Sequence, residues 1–278
     1  LQDLIDSNAE SLPGDFHRRA CQLTKQIFDS FHADGDDETG DDEMNDDEMD
    51  DDEMDDADIP TLVALVRDGT DAQKEAAAEA LEFLARNVAN LVPIAAAGGI
   101  PPLVALLRDG TEVQKENATD ALRFLASNDA NRVAIAAAGG IQPLVALVSD
   151  GTEIQKERAA EALWFLTGSD DGSTVAIAAA GGIPPLLALV RNGREKQKEY
   201  AAGAMGVLAY DNDANRVAIA DAEGIPPLVA LVRDGTERQT ELAAGALASL
   251  AYNDANQVAI AAAGGISPLV ALVRDGTE

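Results

Sequence analysis

From residue 59 onward the chain repeats one phrase of apolar and polar positions. Written from Ile100, the phrase reads IPPLVALLRDGTEVQKENATDALRFLASNDANRVAIAAAGG. An isoleucine opens its copies at Ile59, Ile100, Ile141, Ile183, Ile225 and Ile266, with spacings of 41, 41, 42, 42 and 41 residues. A fixed period of this length marks units that cannot bury an apolar face alone and are stabilised by stacking on their neighbours. Within a unit the pattern predicts three helices. The first runs from about Pro101 to Arg108, with proline in the first turn, where a missing N–H costs nothing, and Gly110 stops it. Thr111 caps the second helix, and Gln114 three residues later completes a capping box. The same pair recurs as Thr70/Gln73, Thr152/Gln155 and Thr236/Gln239, whereas Arg194 replaces the threonine in the fourth copy and weakens that cap. This long helix continues to about Ser127, with Ala118, Ala121, Leu122 and Leu125 on one stripe. A short third helix follows over about Asn131 to Ala137 and ends at Gly139-Gly140. The extra residue of the two longer copies falls in the loop between the long and short helices, where it is tolerated.

Two short helices and one long helix every 41–42 residues, with the string Gly-Gly-Ile-Pro-Pro-Leu-Val-x-Leu, resemble the armadillo repeat family. The resemblance covers residues 59–278, about five units and a truncated sixth. It implies an all-α fold, a right-handed superhelix whose long helices line a concave groove for extended peptides. The array opens at the second helix of a repeat and stops at Glu278, where another long helix is due. The chain is therefore expected to be part of a longer protein that grew by recent duplication.

In helical projection the first long helix turns Ala77, Ala80, Leu81 and Leu84 to the core and sets Ala76, Glu79 and Phe83 on its flank. The family resemblance implies that this flank faces the groove. In members of the importin-α type it carries a tryptophan and, four residues on, an asparagine that clamps the peptide backbone. Here the first position holds Glu79, Asp120, Glu161, Gly203 and Gly245, and the second Phe83, Phe124, Phe165, Val207 and Ser249. This departure argues against a transport adaptor of that type. What remains is a phenylalanine ladder beside carboxylates in the first three units, joined by Asn117 and Arg158 one turn earlier. The last two units present Tyr200 and Leu242 above glycines. The expected partner is another protein, contributing an extended segment with apolar and basic side chains. The alternative for the phenylalanines is packing between adjacent long helices. Trp164, the only tryptophan, is either a binding ridge or a partly packed surface residue. Gly203, Gly206 and Gly245 either admit a bulky partner side chain or reflect drift between copies.

Charge changes the picture for the first 58 residues, which hold 22 acidic residues and 3 Lys/Arg; the remainder holds 28 acids against 17 bases. Residues 1–33 include an amphipathic stretch in which Phe16, Ala20, Leu23, Ile27, Phe28 and Phe31 share a helical face. Residues 34–58 repeat the string DDEM, and like-charge repulsion at that density predicts a disordered linker. This tract reads as a solvated spacer or, alternatively, as an electrostatic trap for a basic partner. Residues 22–43 also resemble a degenerate EF-hand. Asp34, Asp36 and Glu43 fall at loop positions three, five and twelve, but His32 stands at position one and Asp37 replaces the turn glycine. No bound metal is therefore expected, and a calcium-responsive adaptor stands only as an alternative reading.

The acidic balance disfavours nucleic acid and anionic membranes, whose binding requires Lys and Arg against phosphate. The uncharged stretch Gly172–Val190 reads as two short helices about a turn, not as a membrane span. Cys21 is the only cysteine, which fits a reducing compartment, cytoplasmic or nuclear. His17 and His32 lie outside the array, and no phosphate-binding glycine loop follows a strand. The carboxylates recur at equivalent helix positions, as a solvated surface would, not as an acid–base pair in a pocket. No enzyme activity and no cofactor are expected.

Overall fold

A computed structural model describes residues 58–168 and 172–275. The expected amphipathic segment, disordered acidic linker and EF-hand-like loop lie outside these residues. The described residues contain no strand and follow the three-helix phrase throughout. Unit 1 comprises a medium helix Asp58–Asp68, a long helix Asp71–Ala85 and a short helix Leu91–Ala96, the last preceded by a 3-10 turn at Val88–Asn90. The long helices of units 2 to 5 are Glu112–Leu125, Glu153–Leu166, Glu195–Ala209 and Glu237–Leu250. The corresponding medium helices are Ile100–Asp109, Ile141–Asp150, Ile183–Asn192 and Ile225–Asp234, and a sixth, Ile266–Asp275, follows. Each medium helix packs against the long helix of its own unit, and each long helix packs against the next. Alanine makes this approach possible: Ala77, Ala118, Ala159, Ala201 and Ala243 are all fully buried beside leucines.

The capping boxes form as expected and also carry a second function. Gln114 accepts from the Thr111 N–H at 3.0 Å, while its Nε2 donates to the Asp71 carbonyl of the preceding long helix at 2.8 Å. Gln155 reaches Glu112, Gln197 reaches Glu153 and Gln239 reaches Glu195 in the same way. One buried amide thus caps its own helix and ties it to the unit before, a net gain of about 1 kcal/mol per bond. At Arg194 only half the box persists. Gln197 still accepts from the Arg194 N–H at 2.8 Å, but a guanidinium has no acceptor to return. Buried asparagines add a parallel link between short helices, Asn131 donating to the Leu91 carbonyl and Asn256 to the Arg216 carbonyl. In unit 3 Ser173 holds that place, with a buried hydroxyl that meets no partner.

The paired glycines between units serve two needs. Gly98, Gly139, Gly181 and Gly264 take φ of 76–80°, which a side chain rarely adopts. The glycine after each lies against the isoleucine of the short helix; a Cβ on Gly140 would stand 2.8 Å from Ile135 Cγ2. Unit 4 breaks the rule, since Glu223 holds the first place at φ 57°. Glu223→Gly is expected to raise stability by about 1 kcal/mol, measured by urea unfolding; an unchanged or lowered midpoint would refute the assignment of strain there. The uncharged stretch forms helices Ser173–Ala179 and Ile183–Asn192, bent by 84° at the glycine turn. Among the described residues no single helix is long and apolar enough to cross a membrane.

Candidate functional site

The stacked long helices bring the expected flank residues into one row, but their environments differ along it. In unit 1 Glu79 is exposed and has no ion pair among the described residues. Phe83 is half-buried and does not join the residues packed on the core, whereas Phe124, Trp164, Phe165 and Tyr200 do. The packing alternative therefore holds in part for Phe124 and Phe165, whereas Phe83 lies outside the set packed on the core. Asn117 is half-buried and donates weakly to the Glu75 carbonyl of the preceding helix, at 3.4 Å.

The carboxylates of units 2 and 3 are consumed by arginines. Arg123 pairs with Asp120 at 3.0 Å within its own helix and with Glu161 of the next helix at 3.3 Å. Arg158 approaches Asp120 at 3.3 Å from the unit 3 side. Arg86 pairs with Glu82 at 2.8 Å. The Arg123 guanidinium also lies 3.9 Å from the Phe124 ring centroid, a cation–π arrangement that covers the ring. Farther along, Trp164 meets Phe165 at 6.0 Å and Tyr200 at 6.1 Å between ring centroids. Lys196 approaches Tyr200 and Arg238 approaches Trp164, each at 5.9 Å.

One repeat position, which sequence reasoning considered only at Trp164 and Gly206, organises this row. Glu82, Arg123, Trp164 and Gly206 are equivalent, and the side chains of Arg123 and Trp164 reach the next long helix. Arg123 meets Glu161, and Trp164 lies over Gly203, where a Cβ would come within 2.6 Å of the indole. Glu82 stands in the field of Asp120 and Arg123. The signal was present in the sequence as complementarity between copies offset by one unit: Arg before Glu, then Trp before Gly. After that step the filling stops. A Cβ on Gly206 would make only ordinary contact with Ala246 at 3.5 Å, and one on Gly245 would meet nothing within 4 Å. Gly203 therefore accommodates a residue of the chain itself, which accounts for one of the three glycines.

Burial raises the pKa of both Glu82 and Glu161, against the opposing pull of Arg86 on the first and of Arg123 and Arg158 on the second. Tyr200 is pushed above its ordinary value by burial and then by the charges of Glu161 and Glu199. A carboxyl whose folded pKa is raised holds its proton more tightly in the folded chain. As pH falls from neutral through the folded value toward the unfolded one, the folded state gains protons first and is stabilised; as pH rises again that gain is lost. The stability of wild type relative to Glu161→Gln is therefore expected to increase between pH 7 and pH 5, read by urea unfolding at each pH. A difference that does not change with pH would contradict the shift.

No His, Cys, Asp or Glu cluster among the described residues is arranged to hold a metal. The model of the armadillo/β-catenin-like repeat matches residues 170–210 and 212–252. No curated protein matches the chain. Among solved structures, the chain resembles an engineered protein at 31% identity and a TM-score of 0.72, the match covering 78% of this chain and 89% of that one. It resembles a computationally designed armadillo repeat protein for modular peptide recognition at 25% identity and a TM-score of 0.73, covering 77% and 91%. A designed armadillo repeat protein in complex with the peptide (KR)4 shares the fold at 23% identity and a TM-score of 0.66, covering 84% and 91%. With its three-helix units stacked through their long helices into a right-handed all-α superhelix, the chain belongs to the armadillo repeat family.

Proposed function

We propose that the chain is a non-catalytic protein-interaction scaffold that takes an extended partner segment along its row of long helices. The observation that carries this reading is the line of half-buried aromatic side chains, Phe83, Phe124, Trp164, Phe165 and Tyr200, set among charged groups on successive long helices. Aromatic anchors ringed by polar groups dominate binding at interfaces. The relative designed for modular peptide recognition lends support from outside the chain. Apolar side chains of the partner rest on the rings. Its basic side chains answer Glu79 and the overall negative charge of the array, which draws cations from a distance. Asp120 and Glu161, already paired, contribute position more than attraction.

Calorimetric titration of the full chain with the peptides (Lys-Leu)4 and (Glu-Leu)4 tests this directly. Binding is expected for the first only, and Phe83→Ser is expected to weaken it about tenfold while leaving the urea midpoint unchanged, because Phe83 is not packed on the core. Equal affinity for both peptides, or no effect of the substitution, would overturn the reading.

A further inference from the structure

The step between units 4 and 5 lacks a part that the step before it has. Between units 3 and 4 the Trp164 indole lies on Gly203 and leaves that glycine buried. Phe165 and Tyr200 flank the indole, with ring centroids 6.0 and 6.1 Å away. One unit later the counterparts are Gly206 for Trp164, Gly245 for Gly203, Val207 for Phe165 and Leu242 for Tyr200. The two long helices that carry them still pack on each other. The flanking pair stays apolar and half-buried, as Val207 and Leu242. Only the covering ring is missing, and Gly245 is exposed.

The place such a ring would occupy is open. A Cβ on Gly206 would stand 3.5 Å from the backbone of Ala246, beside Gly245, in ordinary contact. A Cβ on Gly245 itself would meet nothing within 4 Å. The occupant that fits is neutral, because the charges on these two helices already answer each other. Lys196 pairs with Glu199 at 3.0 Å and Arg238 with Glu241 at 2.7 Å. The Arg238 guanidinium also lies 5.9 Å over the Trp164 ring, and a ring face attracts such a cation. The chain's own use of an indole on the equivalent glycine therefore sets both the size and the chemistry of the occupant.

We propose that Gly245, between Val207 and Leu242, is a subsite for an aromatic side chain of the partner segment, whose ring takes the place that Trp164 fills one unit earlier. The inference rests on the groove reading above and adds the identity of one anchor. It also gives the two remaining glycines a use. Gly206 leaves the space unfilled from within, and Gly245 lets the ring approach the helix backbone closely.

Calorimetric titration of the full chain with (Lys-Leu)4, and with the same peptide carrying tryptophan in place of its third leucine, tests the subsite. The tryptophan peptide is expected to bind about tenfold more tightly, because the larger ring buries more apolar surface, and to shift the Gly245 backbone amide. Gly206→Trp supplies the missing ring from within, and Gly245→Leu fills the same space. Each is expected to abolish the gain, so that the two peptides bind alike. Gly245→Leu enters open space and keeps the test decisive should Gly206→Trp fail to fold. Equal affinity of the two peptides for wild type, or a gain that survives Gly245→Leu, would overturn the proposal. If (Lys-Leu)4 binds and tryptophan adds nothing, the aromatic subsite is refuted and the groove reading stands. If neither peptide binds, both fall together.

Discussion

Gln197→Glu is expected to split the urea unfolding of the chain into two transitions, with a loss of about 3 kcal/mol or more at the boundary between units 3 and 4. Gln197 is 1% exposed and its Nε2 donates to the Glu153 carbonyl at 2.8 Å and to the Glu153 carboxylate at 3.2 Å. A glutamate here replaces the donor by an acceptor and sets a buried negative charge against both oxygens. The nearest cations offset it only in part, because Lys156 at 3.5 Å and the exposed Arg194 at 3.6 Å already pair with the Glu153 carboxylate. In a stacked array each unit touches only its neighbours, so the loss of one interface separates the two halves instead of weakening the whole evenly. The boundary is already short of one link, since Asn215 of unit 4 donates to the Leu208 carbonyl of its own long helix, not to unit 3. Gln197→Ala, which removes the donor without adding charge, should cost less and keep a single transition. A single transition with the wild-type midpoint in Gln197→Glu would show that the bridging amides do not couple the units.

Gly203→Ala and Gly245→Ala are expected to change stability in opposite directions. Both sites lie within long helices at equivalent positions, and in an open helix alanine is favoured over glycine by about 1 kcal/mol. Gly245 should show that full gain, because a Cβ there meets nothing within 4 Å. At Gly203 the Cβ would stand 2.6 Å from Trp164 Cε2 and 2.9 Å from its Nε1. The indole also touches Phe165 and Tyr200, so it has little freedom to retreat, and overpacking of this kind costs about 1–3 kcal/mol. The net change should therefore be a loss. Trp164→Ala in the same chain should remove the penalty and restore the sign seen at Gly245. Two substitutions of equal sign, or a loss at Gly203 that persists without the indole, would refute the interlock between these long helices.

Much of this architecture was legible in the residues because local and long-range signals agree. The isoleucine period, the Thr–Gln boxes and the Gly-Gly turns each mark a helix boundary by its own chemistry, and the structure places the boundaries within a few residues of the expected ones. What the residues concealed was the use of one side chain for two tasks. Gln114 satisfies a capping box within three residues, so nothing local hinted that its other end serves the preceding unit. The flank residues lie on successive stacked long helices, but their pairing did not follow from the helical projection. Asp120 and Glu161 look alike as sequence symbols, yet Arg123 pairs with both from one place. Projecting a single helix cannot find that pairing, because it depends on the offset between successive helices. Comparing each copy with the next, instead of with itself, would have exposed it.

The same offset bears on how such an array can be rearranged by recombination. A long helix carries a projecting residue fitted to the helix after it and a receiving residue fitted to the helix before it, so the fitted pair is divided between neighbouring copies. Duplicating unit 3 intact would set Trp164 over a second copy of Glu161, which is large and charged where Gly203 is bare. A crossover that falls between the receiving and projecting positions of one helix instead carries each matched pair across whole. The phase at which repeats can be gained or lost without penalty is therefore fixed inside the long helix and does not coincide with the Gly-Gly turns that visibly separate the copies.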